Sequence, residues 1–357
     1  MLAALSAPAL WTGLLYVVSL LNPMGVSGTF ANDVADVPLV LQTASVAGMW
    51  SVEFLVLFVP AAIAACVAGG RRVRTAVVAL AVVGVALGVG VVRLAAEPGS
   101  VRKVAAIATN QRQWAPDLDT SEGRDVVAAY VREIEALPDG VDTVVLPEGT
   151  VGSGSVDPAG LVEPLRAVAV ARRVDVVVGY VHRADRANYA LVVPGDGSSP
   201  STYLKHHDFA SPPGRDLLVR AGAGIAICAD VNLPDPIRDY AAAGTGLLLV
   251  PASDETDNGW QHSRTLLLRG VEHGQATVWS ARTGALMIAD GYGRVLADAN
   301  TGGPGPVTTV VADVPVGPGA TPYTRLGDWF AWLCLALTAG GVVQMTRAAE
   351  RGRSARV

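Results

Sequence analysis

The sequence predicts an α/β domain flanked by transmembrane helices. Three observations carry that prediction. The 357-residue chain is 51% hydrophobic and only 17% charged, too apolar for an ordinary soluble protein. The apolar excess is gathered at the two ends. Between about residues 100 and 320, β-favouring apolar runs alternate with stretches of helical periodicity. The expected organisation is a membrane part over 1–98 with about three transmembrane helices, an extracytoplasmic α/β domain over 99–320, and a last transmembrane helix with a basic cytoplasmic tail over 321–357.

The first span, Leu2–Leu21, carries no charge and is long enough to cross roughly 30 Å of hydrocarbon at 1.5 Å per residue. No Lys or Arg precedes it and no clear small-residue cleavage site follows, so a retained span is expected over a signal peptide. Further spans are expected over about 39–68, 73–94 and 329–345. Arg71, Arg72 and Arg74 separate the second from the third, and Arg347, Arg351, Arg353 and Arg356 follow the fourth. The positive-inside rule places both basic groups in the cytoplasm. The loop with Asp33 and Asp36 has no basic residue and fits the outer side, which puts the domain outside the cytoplasm, on a multi-pass cell-membrane protein. Glu53 lies within a span and has two readings: a functional carboxylate, or an acid near the helix end that reaches headgroups or water.

Within the domain, strands are expected over 104–109, 141–146, 174–181, 190–193, Ser201–Leu204, 225–228 and 247–250. Helices are expected over 124–137, 161–173, 236–243 and 261–273, with short strands around Gly284 and 291–293. Pro194-Gly195-Asp196-Gly197 reads as a hairpin turn. This alternation implies a mixed sheet covered by helices. The net charge of −5 gives no basic stripe, so no nucleic-acid partner is expected. Cys66, Cys228 and Cys334 lack metal-ligand or disulfide spacing, and His206-His207 are adjacent residues that point apart without a third ligand nearby. Neither a metal nor a cofactor is expected.

Three apolar runs end in a reactive residue: Val144-Val145-Leu146-Pro147-Glu148 in a carboxylate, Thr202-Tyr203-Leu204-Lys205 in an amine, Ile225-Ala226-Ile227-Cys228 in a thiol. Strand ends of an α/β sheet share a rim, so the three can converge there. A thiol needs a base, which Glu148 supplies, and a tetrahedral adduct needs its oxyanion stabilised, which Lys205 and the Ala229 N–H supply. Each also has a plainer reading: Cys228 as core filler, Glu148 as a helix-capping acid, Lys205 as a solvated surface charge.

The order Glu148, Lys205, Cys228 in the contexts LPEGT, YLKHHDF and ICADVNLP resembles the nitrilase superfamily of carbon–nitrogen hydrolases. With the membrane spans, the chain resembles its apolipoprotein N-acyltransferase family. Asn188-Tyr189-Ala190-Leu191, Ala252-Ser253-Asp254, Gln261-His262, Arg269, Glu272 and Gly274, 280–284 and Asp290-Gly291-Tyr292-Gly293-Arg294 add to the likeness. So does the stretch from Gln42 to Ser51.

The resemblance implies an α-β-β-α sandwich and a ping-pong acyl transfer. Cys228 would take a fatty acyl group from a phospholipid donor as a thioester and pass it to the N-terminal amine of a diacylglyceryl lipoprotein. Glu148 would be general base and acid in both halves, Lys205 the oxyanion stabiliser, with Ala229, Asp230, Asn188 and Asp208 in support. Asp230 stands where the family usually has glutamate. The family's Val-Pro-Phe-Gly-Glu run after the lysine is replaced by residues 206–215, and neither Asp208 nor Asp216 has the spacing of the missing glutamate. The membrane part is also shorter than the family's. The rival readings are a membrane-tethered, amidase-like hydrolase and a catalytically silent partner protein of the same fold.

Overall fold

The computed structural model describes residues 2–26, 28–68, 72–97, 99–110, 113–254, 259–303 and 305–354. It divides into two compact units, Glu97–Ala320 and a helical unit of Met1–Ala96 with Thr321–Val357.

In the helical unit, Leu2–Leu21, Met49–Ala68 and Arg72–Leu94 are helices long and apolar enough to cross a membrane. The expected 39–68 span is shorter than predicted. Pro38–Leu41 and Ala44–Ala47 are separate short turns, and Gly48 breaks the chain at φ +71°. A Cβ there would lie 2.5 Å from the Tyr323 ring, so both the backbone angle and the packing require glycine. The last helix, Trp329–Ser354, has its apolar part over Trp329–Val343, about 22 Å at 1.5 Å per residue. Arg71 and Arg356 lie outside the described residues.

Glu53 does not reach water. It is fully buried, its Oε1 accepting from Trp11 Nε1 at 2.9 Å and its Oε2 from the Ala31 N–H at 2.9 Å. The carboxylate ties the first span and the turn at Phe30–Asp33 to the second span, which is how a buried acid is kept satisfied.

The second unit is a sandwich of two mixed sheets. Its strands are β1 (Val101–Thr109), β2 (Thr143–Val145), β3 (Val151–Ser153), β4 (Asp175–His182), β5 (Ala187–Val193), β6 (Ser201–Leu204), β7 (Val219–Arg220), β8 (Ala223–Ile225), β9 (Leu247–Ala252), β10 (Ala276–Ala281), β11 (Ala285–Ala289), β12 (Val295–Asn300) and β13 (Val307–Pro315). One sheet runs β13-β1-β2-β4-β5-β6 with β3 beside β4; the other runs β12-β11-β10-β9-β8-β7. In each, three central strands are parallel and the flanking ones antiparallel.

Period-two alternation divides the side chains between two layers. Ala105, Ile107, Val144, Val176 and Val178 meet Val127, Tyr130, Ile134, Leu161, Leu165 and Val168 of the helices Ser121–Ala136 and Ala159–Arg172. The intervening Val104, Ala106, Val145 and Val177 are fully buried on the opposite face. Hydrogen bonds cross between the sheets there, from Ser280 Oγ to the Ile107 carbonyl at 3.0 Å and from the Glu148 N–H to the Ala252 carbonyl at 3.1 Å. Helices Ile237–Ala242 and Gly259–His273 accompany the second sheet. The expectation of one mixed sheet is thus replaced by two, as the family resemblance implied.

Candidate active site

Strand direction explains the convergence. In the first sheet β2 and β4 are parallel, β5 is antiparallel to β4, and β6 is antiparallel to β5. The carboxyl ends of β2 and β6 and the start of β5 therefore share one rim, which carries Glu148, Lys205 and Asn188. In the second sheet the carboxyl ends of the parallel pair β8 and β9 carry Cys228 and Asp254.

Glu148 follows β2 in a tight turn that Gly179 of β4 permits, since a Cβ at Gly179 would lie 2.4 Å from the Glu148 Cα. Its Oε1 accepts from Lys205 Nζ at 2.6 Å and from Asn188 Nδ2 at 2.7 Å. Asp208 Oδ2 completes the cluster, 3.2 Å from Lys205 Nζ and 3.1 Å from Asn188 Nδ2. Lys205 and Glu148 are buried, which removes the solvated-surface reading of the lysine. Burial alone would lower the Lys205 pKa, but the Glu148 and Asp208 carboxylates outweigh it, so the amine stays charged. Burial alone would raise the Asp208 pKa, but the Lys205 charge and the hydrogen bonds from Ala210 and Asn188 outweigh it, for a net fall below the ordinary value.

Cys228 does not end a strand. β8 stops at Ile225, and Cys228 opens the 3-10 turn Cys228–Asn232 with φ +43°. A non-glycine residue in the left-handed region costs on the order of 1–3 kcal/mol and persists only where its surroundings dictate it. Asp230 does so. Buried completely, it accepts from the Ile227 N–H at 2.8 Å and Tyr203 Oη at 2.7 Å through Oδ2, and from the His207 N–H at 2.8 Å through Oδ1. Burial raises the Cys228 pKa well above its usual value, Glu148 and Asp254 add to this, and Lys205 opposes it. The resting thiol is protonated and needs a base.

The loop after Lys205 is tied back to the site. Asp208 Oδ1 accepts from the Ala210 and Ser211 N–H groups, Ser211 Oγ accepts from the Asn188 N–H at 3.0 Å, and the Gly214 N–H donates to the Lys205 carbonyl at 2.8 Å. Asp208 therefore joins the site despite its sequence register, whereas Asp216 is exposed. His206 and His207 turn to different partners, the Asp216 and Asp235 carbonyls.

Sequence reasoning quoted Asp254 and His262 only as matching residues. The structure joins them: His262 Nδ1 lies 2.6 Å from Asp254 Oδ1, and one donor atom each of Cys228, Asp254 and His262 lies within 4.8 Å of the others. This trio has metal-ligand chemistry, but His262 and Asp254 already engage each other. Arg282 was quoted only within the matching stretch 280–284, with no role. It is half-buried, donates from Nε to Ser253 Oγ at 3.1 Å and lies 5.8 Å over the Trp114 ring. No local motif flags a pair so distant in sequence.

The two-sheet α/β sandwich and its buried cysteine define a thiol enzyme of nitrilase type. The chain belongs to the carbon-nitrogen hydrolase family, whose model matches residues 103–318. That match does not include 42–51. Among curated proteins, it is 31% identical over 120 residues to an apolipoprotein N-acyltransferase of Geobacter metallireducens, 32% of this chain and 22% of that protein. It is 30% identical over 138 residues to one of Thermotoga maritima, 36% of this chain and 25% of that protein. The aligned stretches thus span a quarter or less of those relatives. Among solved structures, an amidase of Nesterenkonia sp. superposes with TM-score 0.48 at 23% identity, over 65% of this chain and 95% of that one.

Proposed function

We propose that this is a membrane N-acyltransferase that carries a fatty acyl group from phospholipid, through a Cys228 thioester, to the N-terminal amine of a lipoprotein. The observation that carries the reading is the buried Lys205–Glu148 pair, 2.6 Å apart, whose charges act on the Cys228 thiol. Glu148 takes the thiol proton as sulfur attacks the donor ester. Lys205 and the Ala229 N–H meet the developing oxyanion. As the C–O bond breaks, Glu148 returns the proton to the departing alcohol of the lysophospholipid. Asn188 and Asp208 hold the Glu148–Lys205 pair in register, and Asp230 holds the turn that presents the thiol.

The partial likeness to apolipoprotein N-acyltransferases and the long apolar helices support lipid substrates. Of the side chains along Arg72–Leu94 few are buried within the protein, Thr75 among them, which supports contact with lipid. Arg72 and Arg74 on one side of the spans, and Asp33 and Asp36 on the other, support an extracytoplasmic domain.

The test is to incubate detergent-purified protein with phospholipid and measure intact mass. An acyl adduct that is absent from Cys228→Ala is expected, and the same adduct on that variant overturns the reading. Hydrolysis is the second reading, because the thioester that accepts an amine also accepts water. A lipoprotein peptide offered as acceptor separates the two: an acylated peptide supports transfer, and free fatty acid alone supports hydrolysis.

A further inference from the structure

We propose that His262, oriented by Asp254, is a second proton-transfer residue of the thiol site and receives the proton of the acceptor amine when the thioester is resolved. The inference rests on the Cys228 thioester proposed above. It reassigns to His262 a step that the family resemblance gave to Glu148.

Three observations carry it. First, Cys228 has polar groups from both sheets around it: the charges of Glu148, Lys205 and Asp254 act on the thiol, and one donor atom each of Cys228, Asp254 and His262 lies within 4.8 Å of the others. Glu148, Lys205 and Asn188 come from the rim of the first, and Asp254 follows β9 of the second. Secondly, Glu148 Oε1 is engaged by both Lys205 and Asn188, on the side where the oxyanion is to be held. Thirdly, His262 is set as a base usually is. Its Nδ1 is bound to the buried Asp254 carboxylate at 2.6 Å, with side-chain exposures of 11% and 3%, and its ring packs against Trp279 at 4.8 Å between centroids. Its Nε2 is buried and has no hydrogen-bond partner among the described residues.

A carboxylate on Nδ1 fixes the tautomer with Nδ1–H and leaves Nε2 as the proton acceptor. Burying such an acceptor unpaired costs about 1–3 kcal/mol, an expense that a substrate N–H would remove. The step balances. The amine nitrogen forms the new C–N bond and its proton passes to His262 Nε2. The C–S bond then breaks, and the imidazolium returns that proton to the Cys228 sulfur. No other reactant is consumed.

The test uses the full chain in detergent, with p-nitrophenyl octanoate as acyl donor and glycinamide as acceptor. Nitrophenol release reads acylation, and intact mass reads loss of the octanoyl adduct. Glutamine retains a hydrogen bond to Asp254 and cannot exchange a proton, so His262→Gln is expected to slow transfer to glycinamide about 10²-fold or more, with the adduct accumulating. Acylation should fall by a much smaller factor. Asp254→Asn should show the same split more weakly.

Wild-type transfer by His262→Gln overturns the proposal, and so does an equal loss of both steps, which a purely structural role gives. If nitrophenyl ester leaves Cys228 of the wild type unacylated, this proposal and the thioester reading fall together. If it acylates Cys228 and phospholipid does not, the proposed donor alone falls.

Discussion

Lys205 Nζ lies 2.6 Å from Glu148 Oε1 with 7% and 4% of the two side chains exposed, so each charge is the other's main replacement for water. Such a pair adds little net stability, yet removing one partner strands the other and costs about 3–5 kcal/mol. Lys205→Met should therefore lower the midpoint of chemical denaturation strongly. The double variant Lys205→Met/Glu148→Gln should recover much of that loss, as measured by urea titration. Equal stability of the single and double variants would show that the pair is not coupled.

Glu148 also acts on Cys228, where its charge is the main influence after burial that raises the thiol pKa. Glu148→Gln removes that charge and leaves Lys205, so the thiol pKa falls and thiolate becomes more abundant at a given pH. Iodoacetamide should alkylate Cys228 of the variant faster than wild type at pH 8, while thioester formation drops about 10²-fold or more. Slower alkylation of the variant would contradict the electrostatic account.

The left-handed Cys228 makes a separate prediction about stability. Leaving that region saves a side-chain-bearing residue about 1–2 kcal/mol, and glycine gives back about 0.5–1 through its freer unfolded chain. Cys228→Gly should accordingly match or exceed Cys228→Ala in stability, by up to about 1.5 kcal/mol. Matched urea titrations of the two inactive variants measure the difference, and a more stable alanine variant would count against strain at this position.

Particular residues show what the sequence could reveal. Glu148 and Lys205 were legible because each closely follows a strand, the buried β2 and the partly exposed β6, a pattern that strand polarity turns into a shared rim. Cys228 was legible as a residue but not in its conformation, since its positive φ is imposed by Asp230 bonds to Ile227, Tyr203 and His207. Asp208 was out of register by spacing and enters the site through its own hydrogen bonds to the Ala210 and Ser211 N–H groups. β13 was missed. It pairs along its length with β1, about two hundred residues away, and most of its residues are only half-buried, so its local pattern is weak.

Asp208 also links the site to acid stability. Lys205 and the hydrogen bonds to Ala210 and Asn188 overcome burial and hold its carboxyl below the ordinary value, so the folded state releases this proton more readily than the unfolded chain. The stabilisation is full above the unfolded pKa of about 3.9 and is lost as pH falls through the lower folded value. Wild type minus Asp208→Asn stability should be constant above about pH 5 and shrink below about pH 4. A difference that grows on acidification would reverse the sign assigned here.

Sidedness gives the last prediction. Ser199 is exposed on the turn between β5 and β6, and Arg74 is exposed near the start of the helix Arg72–Leu94. With the three native cysteines replaced, a membrane-impermeant maleimide applied to intact cells should label Ser199→Cys. It should label Arg74→Cys only after permeabilisation. The basic cluster supplies the physical reason, because positive charge resists transfer across the membrane against the inside-negative potential. That labelling would put the domain and its thiol on the side where the proposed lipoprotein acceptor is to be met. The reverse labelling pattern would place Cys228 in the cytoplasm and remove the lipoprotein acceptor from reach.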